Sequence, residues 1–177
     1  FHILEQRGII TSQQGKGRFL REIPISQLGE DKQEEMSKNL ERYSLYEAYE
    51  VRQVLETKAM DLIVRNATDS DLDEIETAYQ TMLLRFAETN TTTGEFELHQ
   101  LYAKKTGSVF MEQTLNIVLS TILEMMHTTS HNVMDMHQVE EEKADHRRII
   151  DALHKRDSSA AQQAMYDHIQ HTLDILQ

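Results

Sequence analysis

The chain contains one proline, Pro24, and none from residue 25 to its end at residue 177. That gap constrains the fold more than any other feature. Proline breaks a helix, and a long tract without it favours helix over other structure. From Gln27 onward strong helix formers dominate, and no tract shows the two-residue alternation of a half-buried strand. Caps and turn residues mark the breaks: Thr68 and Ser70, Gly94 and Gly107, and the run Asp157-Ser158-Ser159. The expected helices are 31–43, 44–67, 70–89, 94–106, 108–136, 138–156 and 158–176. Connections this short place neighbouring helices antiparallel, so the expected fold is an all-α antiparallel bundle of six to seven helices. No repeat period or low-complexity segment is present.

Several classes are excluded at once. The chain has no cysteine, hence no disulfide framework, thiolate metal site or cysteine nucleophile. No apolar run approaches the roughly 20 residues that cross a bilayer, and nothing reads as a signal peptide. A reducing, cytoplasmic setting is the expectation. The 39% apolar content suffices for a core. A net charge of −12 argues against nucleic acid as a partner for the surface as a whole. No phosphate loop, nucleophile elbow or dinucleotide fingerprint occurs.

The charge is unevenly placed. Residues 1–22 carry Arg7, Lys16, Arg18 and Arg21 against Glu5 and Glu22, a net of +2. Residues 23–177 carry 14 basic and 28 acidic residues, a net of −14. Phe1–Gln6 reads as a helix end capped at Arg7-Gly8. Two short β-type runs, Ile9–Ser12 and Arg18–Leu20, flank the loop Gln13–Gly17 and predict a hairpin. Its tip, Gln14, Gly15, Lys16 and Gly17, would let backbone approach a phosphate or a groove closely. A helix end with a two-stranded ribbon is too small to fold alone. The chain therefore reads as starting inside an N-terminal domain.

Nine histidines occur, and three stand out by position. His146 and His168 each lie 11 residues from Asp157, on opposite sides of the last predicted turn. Residues equidistant from the turn of an antiparallel pair lie at one height. His146 shares an apolar stripe with Ile149, Ile150 and Leu153. His168 shares one with Ala161, Ala164, Met165, Thr172 and Ile175. Glu95 and His99, four residues apart, share a face of the fourth helix. Glu95, His99, His146 and His168 form a set suited to a divalent ion such as zinc or nickel. The alternative is a set of hydrogen-bonded core histidines. His127 and His131 are also four apart, but a di-iron bundle needs two Glu-x-x-His motifs and Glu124–His127 gives one, so a solvated face is expected there. The methionines at 125, 126, 134 and 136 read as packing or dimer surface, and Glu140–Glu142 as a solvated first turn.

On the predicted helix 44–67 the stripe Leu45, Ala48, Arg52, Leu55, Ala59, Leu62 is interrupted by Arg52. An inward guanidinium needs a counter-charge. Two readings stay open: a salt bridge to Glu56 or another bundle carboxylate, or a receptor for an anion in the same cavity as the metal.

Over about 44–175 the chain resembles the FCD effector-binding domain of GntR-type transcription regulators of the FadR subfamily. The resemblance rests on Glu50-Val51-Arg52-Gln53-Val54-Leu55-Glu56, on Glu95–His99 as the family's D-x-x-x-H motif, on Asp145–Leu153 with Asp157, and on Ala164 with His168. Residues 1–21 look like the tail of the recognition helix and the wing of the winged helix-turn-helix that precedes this domain. Two departures are Glu95 in place of Asp and Ser108 in place of the Asn that often follows the glycine. The resemblance implies a DNA-binding regulator, often a repressor and usually a homodimer. Its helical domain would sense a small carboxylate or sugar acid at a metal held by Glu95, His99, His146 and His168, with Arg52 on the effector. The implied divisions are 1–22 for the remnant of the DNA-binding domain, 23–43 for the linker and connecting helix, and 44–177 for effector binding and dimerisation. Operator DNA is the expected macromolecular partner, and no membrane and no enzyme activity are expected. A metal-dependent enzyme on a helical bundle is the alternative.

Overall fold

The computed structural model describes residues 10–13, 17–20, 30–89, 94–128 and 136–176, with side chains from Tyr43 onward except at 89 and 127–139. The chain divides into two compact units, 1–40 and 41–177.

The first unit holds the predicted hairpin. Strand β1, Ile10–Gln13, pairs antiparallel with β2, Gly17–Leu20. Its register sets Ile10 opposite Leu20 and Gln13 opposite Gly17. Gln13 and Gly17, expected in the loop, thus close the ladder. Gln14, Gly15 and Lys16 lie outside the described residues.

Among the described residues six helices follow: α1, Glu30–Asn66; α2, Asp69–Thr89; α3, Glu95–Lys105; α4, Val109–Thr128; α5, Met136–His154; and α6, Ser158–Leu176. The break expected between 43 and 44 is absent, and α1 runs unbroken for 37 residues. No glycine or proline stops the hydrogen-bond ladder there, and the interior Ser44 costs only about 0.5 kcal/mol. The helix expected over 108–136 is described to Thr128. Met136 already belongs to the next helix, and residues 129–135 lie outside the described residues.

Sequence-local chemistry fixes the helix ends. At the start of α2, the Asp71 backbone N–H donates to Thr68 Oγ1 (3.2 Å), while the Thr68 N–H and hydroxyl donate to the Asp71 carboxylate (2.8 and 2.6 Å). This is a reciprocal capping box. Gly107 takes φ +69° after α3, a left-handed conformation that favours glycine. Between α5 and α6, the Asp157 N–H donates to the Ala152 carbonyl and the Arg156 N–H to the Leu153 carbonyl. That is a Schellman pattern, with Arg156 at φ +55°. Asp157 then caps α6 by accepting from the Ala160 N–H at 2.9 Å.

In the second unit α5 packs on α6 and α2, and α3 on α2 and α4. The main core gathers Tyr49, Met60 and Ile63 of α1, Ile75 and Phe86 of α2, Leu98 and Tyr102 of α3, Ile149 and Leu153 of α5, and Met165 and Ile169 of α6. A small satellite of Ala59, Ala103 and Leu115 joins α1, α3 and α4. Among the described residues no helix is long and apolar enough to cross a membrane.

Candidate metal centre

Three helices bring Glu95, His99, His146 and His168 together. One donor atom from each lies within 4.8 Å of all the others, and all four residues are buried. The turn argument accounts for half of this geometry. The rings of His146 and His168 sit 4.6 Å apart between centroids, at one level of the α5–α6 hairpin. On α3, His99 stacks on His168 at 5.2 Å. Its Nε2 lies 3.2 Å from His168 Nε2 and 3.6 Å from Glu95 Oε1. Of the stripe expected beside His168, Ala161, Ala164 and Met165 are buried, whereas Ile175 is 60% exposed. Leu173 and Leu176 are buried at the same end, so the inward face of α6 runs through them and Ile175 lies off it.

Carboxylates surround the imidazoles. His99 Nδ1 contacts Glu56 closely. The carboxylate accepts, so Nδ1 carries the proton and Nε2 presents a bare lone pair. A buried carboxylate behind a histidine orients metal ligands in this way. Glu142 Oε2 lies 3.7 Å from His146 Nε2 and 3.5 Å from His168 Nδ1. Asp145 stands 3.7 Å from His168 Nδ1 and 2.8 Å from His171 Nδ1. Tyr102, three residues beyond His99, brings its hydroxyl to 3.5 Å from His146 Nδ1.

Among the described residues Arg52 is the one buried guanidinium in this shell, and Arg148 pairs with Asp145 from the exposed side. Its Nε donates to Glu56 at 2.6 Å, and Nη2 lies 3.4 Å from Glu95. Tyr49 and Phe96 flank it at 5.2 and 5.4 Å from their ring centroids. Glu56, the carboxylate named in the salt-bridge reading, is thus paired with Arg52, and Glu95 stands as a second, more distant partner. Burial works against the Arg52 charge, but Glu56, Tyr49 and Glu95 outweigh it and hold the group more firmly protonated than usual.

Burial pushes His99 and His146 well below the ordinary imidazole pKa, which keeps both neutral. Burial alone would lower His168 too, but the Glu142 charge and the Asp145 contact reverse the sign and raise it. Desolvation raises Glu56, and pushes Glu142 up to about 8. Glu142 Oε2, His146 Nε2 and His168 Nδ1 have no hydrogen-bond partner among the described residues. Buried polar atoms without partners are costly, so the site is incomplete as a purely protein network. The donor set fits a divalent ion. Neutral imidazoles and carboxylates are its ligands, and a 3.2 Å gap between two nitrogens suits metal–ligand bonds of about 2.0–2.1 Å.

Glu142 corrects the reading of 140–142 as a solvated first turn: it is 6% exposed, and α5 begins at Met136, more than a turn earlier. Its signal is present in the sequence, since Glu142 and His146 repeat the four-residue spacing of Glu95 and His99. Tyr102 also escaped sequence reasoning. Met125 and Met126 pack against the core as expected. The side chains of His127, Met134 and Met136, and all of His131, lie outside the described residues.

Comparison with known proteins agrees with this architecture. Residues 47–171 match the FCD domain, and the chain belongs to that family. It is a ligand-responsive transcription regulator of the GntR class. It is 24% identical over 178 residues to the HTH-type transcriptional regulator LutR of Bacillus subtilis (strain 168), covering 98% of this chain and 80% of LutR. Among solved structures, Streptococcus agalactiae GntR superposes with a TM-score of 0.65 at 20% identity, over 98% of this chain and 78% of that one. E. coli McbR/YncC superposes at 0.61 and 14% identity, over 99% and 76%. These relatives are regulators and not enzymes, which sets the enzyme alternative aside.

Proposed function

We propose that this chain represses transcription from an operator and is controlled by a small carboxylate or sugar acid, sensed at a divalent ion inside the helical unit. Glu95, His99, His146 and His168 hold the ion, and zinc or nickel suits their mixture of imidazole nitrogen and carboxylate oxygen. One observation carries this reading. Three buried imidazoles are ringed by four buried carboxylates, Glu56, Glu95, Glu142 and Asp145, while among the described residues Arg52 is the one buried guanidinium on them and the half-exposed Arg148 pairs with Asp145 alone. A cation resolves that imbalance. A bound ion supplies an electrophilic centre to which an effector carboxylate can attach. Arg52, whose contact to Glu95 is long, offers the second attachment for such an anion.

Residues 1–22 are taken as the end of a winged helix-turn-helix, with Gln14, Gly15, Lys16 and Gly17 at the wing tip against the DNA backbone. Residues 23–43 connect it to the effector and dimerisation domain, 44–177. Exposed apolar side chains on α1 (Val51, Val54) and on α4 (Val109, Phe110, Ile117) supply a surface for a second copy of the chain, as a homodimer in the cytoplasm. The effector acts by favouring one arrangement of the two DNA-binding arms.

The test is metal analysis after purification without chelator, beside gel shifts on the upstream DNA of its own gene. The expected result is about one ion per chain, lost in His146→Ala and His168→Ala, and a DNA complex that a carboxylate releases. Equal metal content in wild type and variants, or no sequence-specific complex under any ligand, overturns the reading.

A further inference from the structure

Four residues of the proposed centre leave one buried group unexplained. Glu142 Oε2 has no partner, although the residue is 6% exposed, and it sits between two imidazole nitrogens that also lack partners. Its distances of 3.5 Å to His168 Nδ1 and 3.7 Å to His146 Nε2 exceed hydrogen bonds. The distance to His146 Nε2 approaches the roughly 3.0–3.4 Å at which two ligands stand when they share one ion through bonds of about 2.1 Å, while His168 offers the ion its Nε2 and turns Nδ1 toward Glu142. An ion held by Glu95, His99, His146 and His168 alone satisfies His146 but leaves the Glu142 oxygen buried and bare. Glu142 is aimed at the site by its own helix, one turn before His146, as Glu95 is aimed one turn before His99.

We propose that Glu142 is a further ligand of the same ion, so that the donor set is two glutamates and three histidines. The inference rests on the metal-centre reading above and deepens it. Five protein donors, two of them anionic, suit a first-row divalent ion that accepts five or six ligands over one restricted to four. A six-coordinate ion then keeps one position for an effector oxygen. Because two carboxylates already balance the 2+ charge, that oxygen meets an electrically neutral centre. Recognition of an acid then depends more on Arg52 than on the charge of the ion.

Glu142→Gln has nearly the same shape and can still accept a hydrogen bond from His168 Nδ1, so it separates an anionic ligand from a residue that merely positions the ring. The experiment titrates Co2+ alone into the chelator-treated full chain and reads both the affinity and the visible d–d spectrum. Glu141→Gln, at an exposed neighbour, is the control. The expected result is the weak spectrum of a five- or six-coordinate ion in wild type and control. Glu142→Gln is expected to bind at least about tenfold more weakly, with changed band positions and intensity. Wild-type affinity and spectrum in Glu142→Gln overturn the assignment while leaving the centre intact. No Co2+ binding by the wild type overturns the centre itself and this inference with it.

Discussion

Two polar clusters join α1, α3 and α5, the first to α2 and the second to α6, and they differ in one further respect. The first lies near the ends of α1, α3 and α5. There Asn66 Nδ2 donates to the Thr106 carbonyl at 2.7 Å, and Lys105 bridges Asp71 and Glu74 at 2.6 Å each. Arg156 donates to the Ala67 carbonyl at 2.6 Å and to Asp69 at 2.7 Å. Each of these groups finds a partner in the chain. The second is the histidine cluster, which is deeper, richer in charge and short of partners at three atoms. Burial makes an unmet polar group more costly, so deficits should be rarest in the core. A core that retains one is shaped for something the chain does not itself supply. That contrast separates a brace from a site.

The largest effect expected from breaking the contrast is at Arg52. Arg52→Met in the metal-free chain leaves Glu56 and Glu95 buried without their cation. Removing one partner of a buried ion pair costs about 3–5 kcal/mol, and urea unfolding should show a loss of that size. A loss below about 1 kcal/mol would mean that Glu56 is already protonated and that the pair is not ionic. Next in size is the ion itself. At a free metal concentration 100-fold above its Kd, stabilisation is about 2.7 kcal/mol, and excess chelator should reverse it in a thermal melt. The brace should respond to neither treatment.

Much of this contrast was legible in the sequence, for reasons that also explain the gaps. Equal distance from Asp157 fixes the level of His146 and His168 because both flanking helices are regular and the turn is short. The four-residue spacing of Glu95 and His99 fixes a shared face. Arg52 stood out because a charge interrupts an apolar stripe. Glu142 was obscured by Glu140 and Glu141, which are exposed, so a run of like residues looked uniformly solvated although its members point in different directions. Tyr102 was missed because a tyrosine on a buried stripe carries no sign of which polar atom it will meet. The continuity of α1 was missed because the break expected between 43 and 44 rested on local preference, while an unbroken helix is a property of every residue around it.

Within the brace, Arg156 makes the stronger test. Its guanidinium holds backbone carbonyls at the end of α1, and hydrogen bonds from charged groups are worth about 1.5–3 kcal/mol. Partial exposure reduces this, so Arg156→Met should lower unfolding stability by about 1–2 kcal/mol while leaving metal affinity unchanged. A shift in metal affinity would show that the brace and the site are coupled and that the division between them is too sharp.

Asp71 gives the smallest and most specific effect, visible only in acid. The Lys105 hydrogen bond, followed by those from Thr68, holds its carboxyl well below the usual carboxylate range. A depressed pKa in the folded chain means that the unfolded chain binds the proton more readily. The contribution of Asp71 is therefore present at pH values above its unfolded pKa of about 3.9 and is lost as pH falls through the folded value. Asp71→Asn should remove that contribution at neutral pH and flatten the acid limb of the stability profile below about pH 4. The profile between pH 5 and 8 should keep its shape. If Asp71→Asn alters that neutral range instead, the two clusters share a titration and are one network.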